Sequence, residues 1–157
     1  MENRVELLRQ RIDEVILRMT DALERRCAYV HLYGVAQACA LIALKRGENV
    51  ELATMAGMLH DYYMYIFMDA EKHAEKGAVF VKSVLEEWQL TAPEETALIC
   101  SAIRNHSAKG QRHGAFDEIL IDADVMQHWL YNAKAPIMPH ESERAHSLMK
   151  EFGLIVA

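Results

Sequence analysis

Apolar residues recur every three or four positions along almost the whole chain, and no run alternates β-branched with polar residues between turn signals. That period confines the polypeptide to packed helices, because a helix with one apolar stripe must bury it against another element, whereas a half-buried strand repeats every two residues. The fold class expected is all-α, a single-domain helical bundle of about six to seven helices over residues 1–157. With 157 residues, 52% of them hydrophobic, the chain can bury one core and is short for two.

The punctuation places the helices. Val5, Leu8, Ile12 and Val15 share one stripe of an opening helix, which Thr20 or Asp21 interrupts or restarts. A second is expected over 27–46, with Val35, Ala38 and Ile42 on the stripe of His31 and Gly47 as its left-handed stop. Asn49 caps a third, whose Leu52, Met55, Ala56 and Leu59 lead to His60-Asp61. The aromatic run Tyr62, Tyr63, Tyr65, Phe67 then frames a pocket mouth or packs. Asp69 is expected to cap a fourth helix through Trp88. Thr91-Ala92-Pro93-Glu94 has capping-box spacing and starts a fifth that reaches His106. Residues 107–116 are the most loop-like, and Asp117 is expected to cap the sixth helix, which carries Asp122, Asp124 and His128. Pro136 and Pro139 precede a last helix over 141–152, ended by Gly153.

A formal charge of -6 with interspersed Lys and Arg gives no broad basic field, which argues against nucleic acid or an anionic membrane and for a small-molecule partner. No leader-like start and no apolar stretch of about 20 residues are read, so a soluble, cytoplasmic protein is expected. Cys27, Cys39 and Cys100 form no CxxC pair and are odd in number, as suits a reducing compartment, and all three are expected as small buried hydrophobes. The amphipathic first and last helices are free to pack on the core or on another subunit of a homo-oligomer.

Four of the eight histidines fall beside the apolar stripes of four successive helices: His31, His60, His73 and His106. In a bundle they can converge, and burying them with carboxylates and no cation would be costly. The adjacent pair His60-Asp61 reaches one ion only at a helix edge or end, since neighbouring helical residues point about 100° apart. Imidazole nitrogen with carboxylate oxygen suits iron, manganese, cobalt or zinc better than calcium.

The ordered pieces, Ala-Gly-Met-Leu-His-Asp at 56–61, His-Ala-Glu-Lys-Gly-Ala at 73–78, Ile-x-x-His ending at His106 and Asp-Ala-Asp at 122–124, together with His31, resemble the HD-domain metal-dependent phosphohydrolase superfamily over about 27–131. The resemblance implies one metal held by His31, His60, Asp61 and Asp124, with Asp122 a rival for the last position. It also implies a second metal bringing in His73 and His106, with Asp61 as bridge. His128, one turn past Asp124, is a candidate to orient that carboxylate. The activity implied is hydrolysis of a nucleotide or other small phosphate ester by a metal-bound hydroxide, with Asp61 or Asp124 assisting proton transfer. Arg104, Lys109, Arg112 and His113 are the candidate phosphate contacts. The chain departs from the family after its His-Asp pair, where Tyr62-Tyr63-Met64 stands in place of a small residue and a polar one, and after Asp124, where Val125-Met126 follows. Two alternatives accompany the hydrolase: a di-iron oxygenase built on the same six ligands, and a nucleotide-sensing module that has lost turnover.

Overall fold

The computed structural model describes residues 3–154; the ends of the expected 1–157 domain lie outside them. It is all-helical, in the order α1 (Arg4–Ile16), α2 (Ala22–Arg46), α3 (Val50–Leu59), α4 (Tyr62–Phe67), α5 (His73–Trp88), α6 (Pro93–Asn105), α7 (Ala115–Tyr131), a 3-10 turn (Pro139–Glu141) and α8 (Ser142–Glu151). Seven of these correspond to the expected helices, and the aromatic run adds the short α4.

Asp21 starts α2, accepting from the N–H groups of Leu23 and Glu24, so the helix begins a turn and a half before residue 27. Asn49 caps α3 through the Leu52 N–H. Three expected caps differ. Asp69 lies in the link before α5 and takes the Tyr63 hydroxyl, the Lys76 ammonium and the Glu71 N–H, while Lys72, with a left-handed backbone, precedes the helix. At α6 the cap position belongs to Ala92, whose N–H donates to Glu95, and Thr91 instead shares a hydrogen bond with Thr96. Asp117 sits inside α7, buried, accepting from Ser101 and Asn105 of α6; a carboxylate near a helix start serves either purpose, and the packing of α6 decides.

α2 is the spine, packed against α3 and α7. Gly57 makes the first contact possible, because a Cβ there would lie 2.6 Å from the Ala36 Cα. α1 lays Leu8, Ile12 and Ile16 into the core, each burial worth about 2 kcal/mol, and Arg4 ties its start to Glu51 of α3 and Glu95 of α6. By length and composition α2 is apolar enough to cross a membrane, which the sequence reading did not anticipate; here its buried residues belong to the core. Cys39 and Cys100 are buried as expected, but Cys27 is exposed.

Candidate metal centre

The helices bring His31, His60, Asp61, His73, His106 and Asp124 together. His31 comes from the middle of α2 and Asp124 from α7, while His60-Asp61 occupies the break between α3 and α4. His60 keeps helical dihedrals while Asp61, with φ -110° and ψ 11°, leaves them, and with that departure both side chains point inward. His73 opens α5 and His106 ends α6.

Each imidazole spends its Nδ1–H on a fixed acceptor. His60 donates to the Gly57 carbonyl at 2.7 Å, His106 to Ile103 at 2.6 Å, His73 to Ala70 at 3.1 Å and His31 to the Gln127 side-chain oxygen at 2.9 Å. A neutral ring that donates from Nδ1 carries a lone pair on Nε2. Those lone pairs face one another: His31 and His60 approach Nε2 to Nε2 at 3.0 Å, and His73 and His106 at 3.2 Å.

Asp61 stands between the pairs, one oxygen to each. Its Oδ2 lies 3.2 Å from His31 and 3.5 Å from His60, and its Oδ1 lies 3.3 Å from both His73 and His106. Asp124 Oδ1 closes the first group, 3.5 Å from His31 and 3.9 Å from His60. Neither Asp61 Oδ1 nor Asp124 Oδ1 has a hydrogen-bond donor among the described residues, although both are buried. Buried acceptors facing acceptors call for a positive charge, and a divalent ion is the group this donor set fits. The triads His31/His60/Asp61, Asp61/His73/His106 and His31/Asp124/His128 are each compact enough to hold one.

Electrostatics agrees. Burial drives the His60 imidazole down to about 4, leaving it neutral. For His31 and His106, burial acts in the same direction but is outweighed by Asp61 and Asp124, and both rings gain affinity for positive charge. Asp61 stays ionised well below the usual carboxylate range because the imidazoles overcome its burial, and Asp124 is held at about 2 against its burial by Lys109 and the nearby rings.

Supporting contacts surround Asp124. Lys109 reaches its Oδ2 at 2.7 Å and also pairs with Glu141. His128 places Nε2 3.4 Å from Asp124 Oδ1, donates from Nδ1 to Glu141 at 2.9 Å, and stacks on His31 with ring centroids 5.3 Å apart. Gly34 leaves space for Gln127, since a Cβ there would lie 2.8 Å from its Cγ. Asp122, the rival, points elsewhere and pairs with Arg46 and Arg144 at 2.7 and 2.9 Å.

Of the expected phosphate contacts only Lys109 lies at the cluster, already paired. Arg104 is exposed on another face of α6, Arg112 pairs with Glu118, and the His113 backbone N–H donates to Glu118, so these three stand away from the six donors. The tyrosines divide: Tyr62 is buried in the core and Tyr63 packs on Phe67 and Phe80, while Tyr65 lines a cavity. Glu141, Gln127 and Arg26 were not among the residues singled out in the sequence. Gln127 was within reach, three positions after Asp124 on the same helical face.

Two openings lead to the centre. One, about 290 Å³, is walled by His73, His106, Lys109, Asp124, His128 and His140, and the other, about 410 Å³, has His31, Asp61 and His128 in its lining.

The HD-domain family model matches residues 28–144, extending past the expected core to include Glu141. Among solved structures, the chain is similar to a protein described as a predicted HD superfamily hydrolase from an uncultured Thermotogales bacterium. The two share 20% sequence identity and a TM-score of 0.59, over 96% of this chain and 87% of that one. No curated protein sequence matches significantly. On the breadth of the family match, the chain belongs to the HD-domain family.

Proposed function

We propose that the protein is a metal-dependent phosphohydrolase acting on a nucleotide or other small phosphate ester, with His31, His60, Asp61 and Asp124 holding one ion and Asp61, His73 and His106 a second. The observation that carries this reading is the Asp61 carboxylate, which offers one oxygen to each of two imidazole pairs whose Nε2 atoms converge on it, with the Ser107 hydroxyl the one other group near the second pair. The fold shared with a protein described as a predicted HD superfamily hydrolase lends it support. A divalent ion supplies Lewis acidity toward a phosphoryl oxygen and lowers the pKa of water.

The chain's own residues do the remaining work. Asp61 and Asp124 are both ionised, so one or the other would take the proton as water attacks. Lys109 fixes Asp124 through Oδ2 and leaves Oδ1 facing the centre. His128 borders both openings and is placed to return a proton to the departing alkoxide, its ring set by Glu141. The four Nδ1 hydrogen bonds hold the rings in one tautomer, so little reorganisation is needed on loading.

A di-iron oxygenase is the second reading, favoured by the same bridging carboxylate between nitrogen-rich halves. The deciding experiment is elemental analysis of protein purified without chelator, with a panel of nucleoside and simple phosphate esters assayed in the metal found. One or two equivalents of iron, manganese, cobalt or zinc, lost in a His60→Ala, Asp61→Ala double variant, together with metal-dependent phosphate release, is the expected result. Iron-dependent oxygen uptake with an organic substrate would move the assignment to the second reading, and bound metal with nucleotide binding but no turnover would move it to a sensor.

A further inference from the structure

The larger opening joins two kinds of lining. His31, Asp61 and His128 line it on the side of the donors, and Val30, Met64, Tyr65, Tyr131 and Met138 complete the lining, with Cys27 and Arg26 from the start of α2. Arg26 makes no ion pair or side-chain hydrogen bond among the described residues, whereas Lys109, the cation closest to the donors, is consumed by Asp124 and Glu141. The volume of about 410 Å³ is in the range of small-molecule pockets.

We propose that this cavity seats the organic part of a phosphate monoester, an uncharged and largely apolar group of about one or two rings. The inference rests on the hydrolase reading, which places the reacting phosphate at the six donors. Whatever else the substrate carries then extends between Met64, Tyr65 and Met138. A di- or triphosphate tail entering there would bring two or more further charges against thioethers and aromatic faces, with a single guanidinium to meet them, so desolvation selects against polyphosphates. Ring faces and thioether groups favour a flat apolar substituent.

Cys27 reports occupancy. It is the exposed cysteine and lines this wall, while Cys39 and Cys100 are buried and serve as internal references. The test is the rate of Cys27 alkylation by iodoacetamide in the metal-loaded protein, read by peptide mass spectrometry, with phenylphosphonate or tripolyphosphate present. Phenylphosphonate is expected to slow alkylation about fivefold or more, at a concentration where tripolyphosphate changes it less than about twofold. Met138→Glu, which puts a charge into the apolar wall at an exposed position, should lose most of that protection when compared with its own unprotected rate. Equal or better protection by tripolyphosphate, or none by phenylphosphonate, overturns the assignment. Metal content and phosphate release measured on the same sample separate the two failures. Phosphate release without protection removes only the cavity assignment, while protection without cleavage of any ester removes the hydrolase reading and leaves the cavity as an aryl-phosphate binding site.

Discussion

The two halves of the centre share Asp61 but are built differently. The half containing His31, His60 and Asp124 stands on α2, the end of α3 and the middle of α7; His60 is 0% exposed, Gln127 and Gly57 fix its rings, and Lys109 with Glu141 fixes its second carboxylate. The half containing His73 and His106 has no carboxylate beyond the shared one. His73 is the first residue of α5, its side chain is 25% exposed, and its ring leans on the Ala70 carbonyl within a link bounded by the left-handed residues Met68 and Lys72. A site whose donors are locked before the ion arrives loses less entropy on binding than one whose donor rides on a helix start, so the first half should bind tighter.

The largest effect should come from the shared residue. Asp61→Asn replaces a charge common to both halves and is expected to lower bound metal more than about tenfold at each, whereas His73→Ala should retain about one equivalent. Elemental analysis of the two variants distinguishes them. Full loss of metal in His73→Ala would mean that the halves load only together, and the proposed asymmetry would fall.

The next effect concerns the scaffold of the first half. Arg144 of α8 donates to the Lys109 and Gln111 carbonyls and pairs with Glu118, thereby holding the loop that delivers Lys109 to Asp124. Burial works against ionisation of Glu118, yet Arg144, the His113 N–H and Arg112 pull its carboxyl down to about 2 from 4.5. A depressed carboxyl contributes stability that is complete above its unfolded value and lost as pH falls through the folded one. After allowance for partial solvation, on the order of 2 kcal/mol should disappear between about pH 4.5 and 2. Urea unfolding at pH 6 and pH 3.5 should show a steeper loss for the natural chain than for Glu118→Gln; equal slopes would remove Glu118 from the account.

The comparison also marks what could be read from the chain itself. The helices and the convergence of six donors were visible because each histidine lies beside an apolar stripe and His60-Asp61 falls at a helix end. Glu141 was not visible: its partners Lys109 and His128 come from a distant loop and helix, and nothing in a Glu after Pro139-His140 reports a buried carboxylate. Lys72 was missed for another reason, since a left-handed lysine breaks the rule that reserves that backbone for glycine and asparagine. Arg104 was misplaced despite a usable signal: two positions before His106 it points about 200° away on the same helix. The signal for Gln127 lay unused in the same helical spacing.

Gln127 also gives a finer test of the first half. Gln127→Leu keeps the volume beside Gly34 but removes the acceptor of the His31 Nδ1–H, so the ring can change tautomer and turn away. Affinity of the first half for metal should fall about tenfold to a hundredfold while the second half is unchanged, as followed by competition with a chelator. An equal drop in both halves would show that Gln127 acts on packing as a whole and not through His31.

The smallest effect tests the looser half directly. An L-residue in the left-handed region costs about 1–2 kcal/mol, and glycine avoids this but gives back roughly 0.5–1 kcal/mol in chain entropy. With a φ of 50°, Lys72 has no side-chain cap hydrogen bond to compensate. Lys72→Gly is therefore expected to stabilise the metal-free protein by up to about 1 kcal/mol, raising Tm by roughly 2–4 °C. The gain should leave metal binding by the first half untouched, because none of its donors lies on the link from α4 to α5. A fall in Tm would mean that this link is held by contacts the lysine itself makes, and His73 would then start from a support as firm as that of His31.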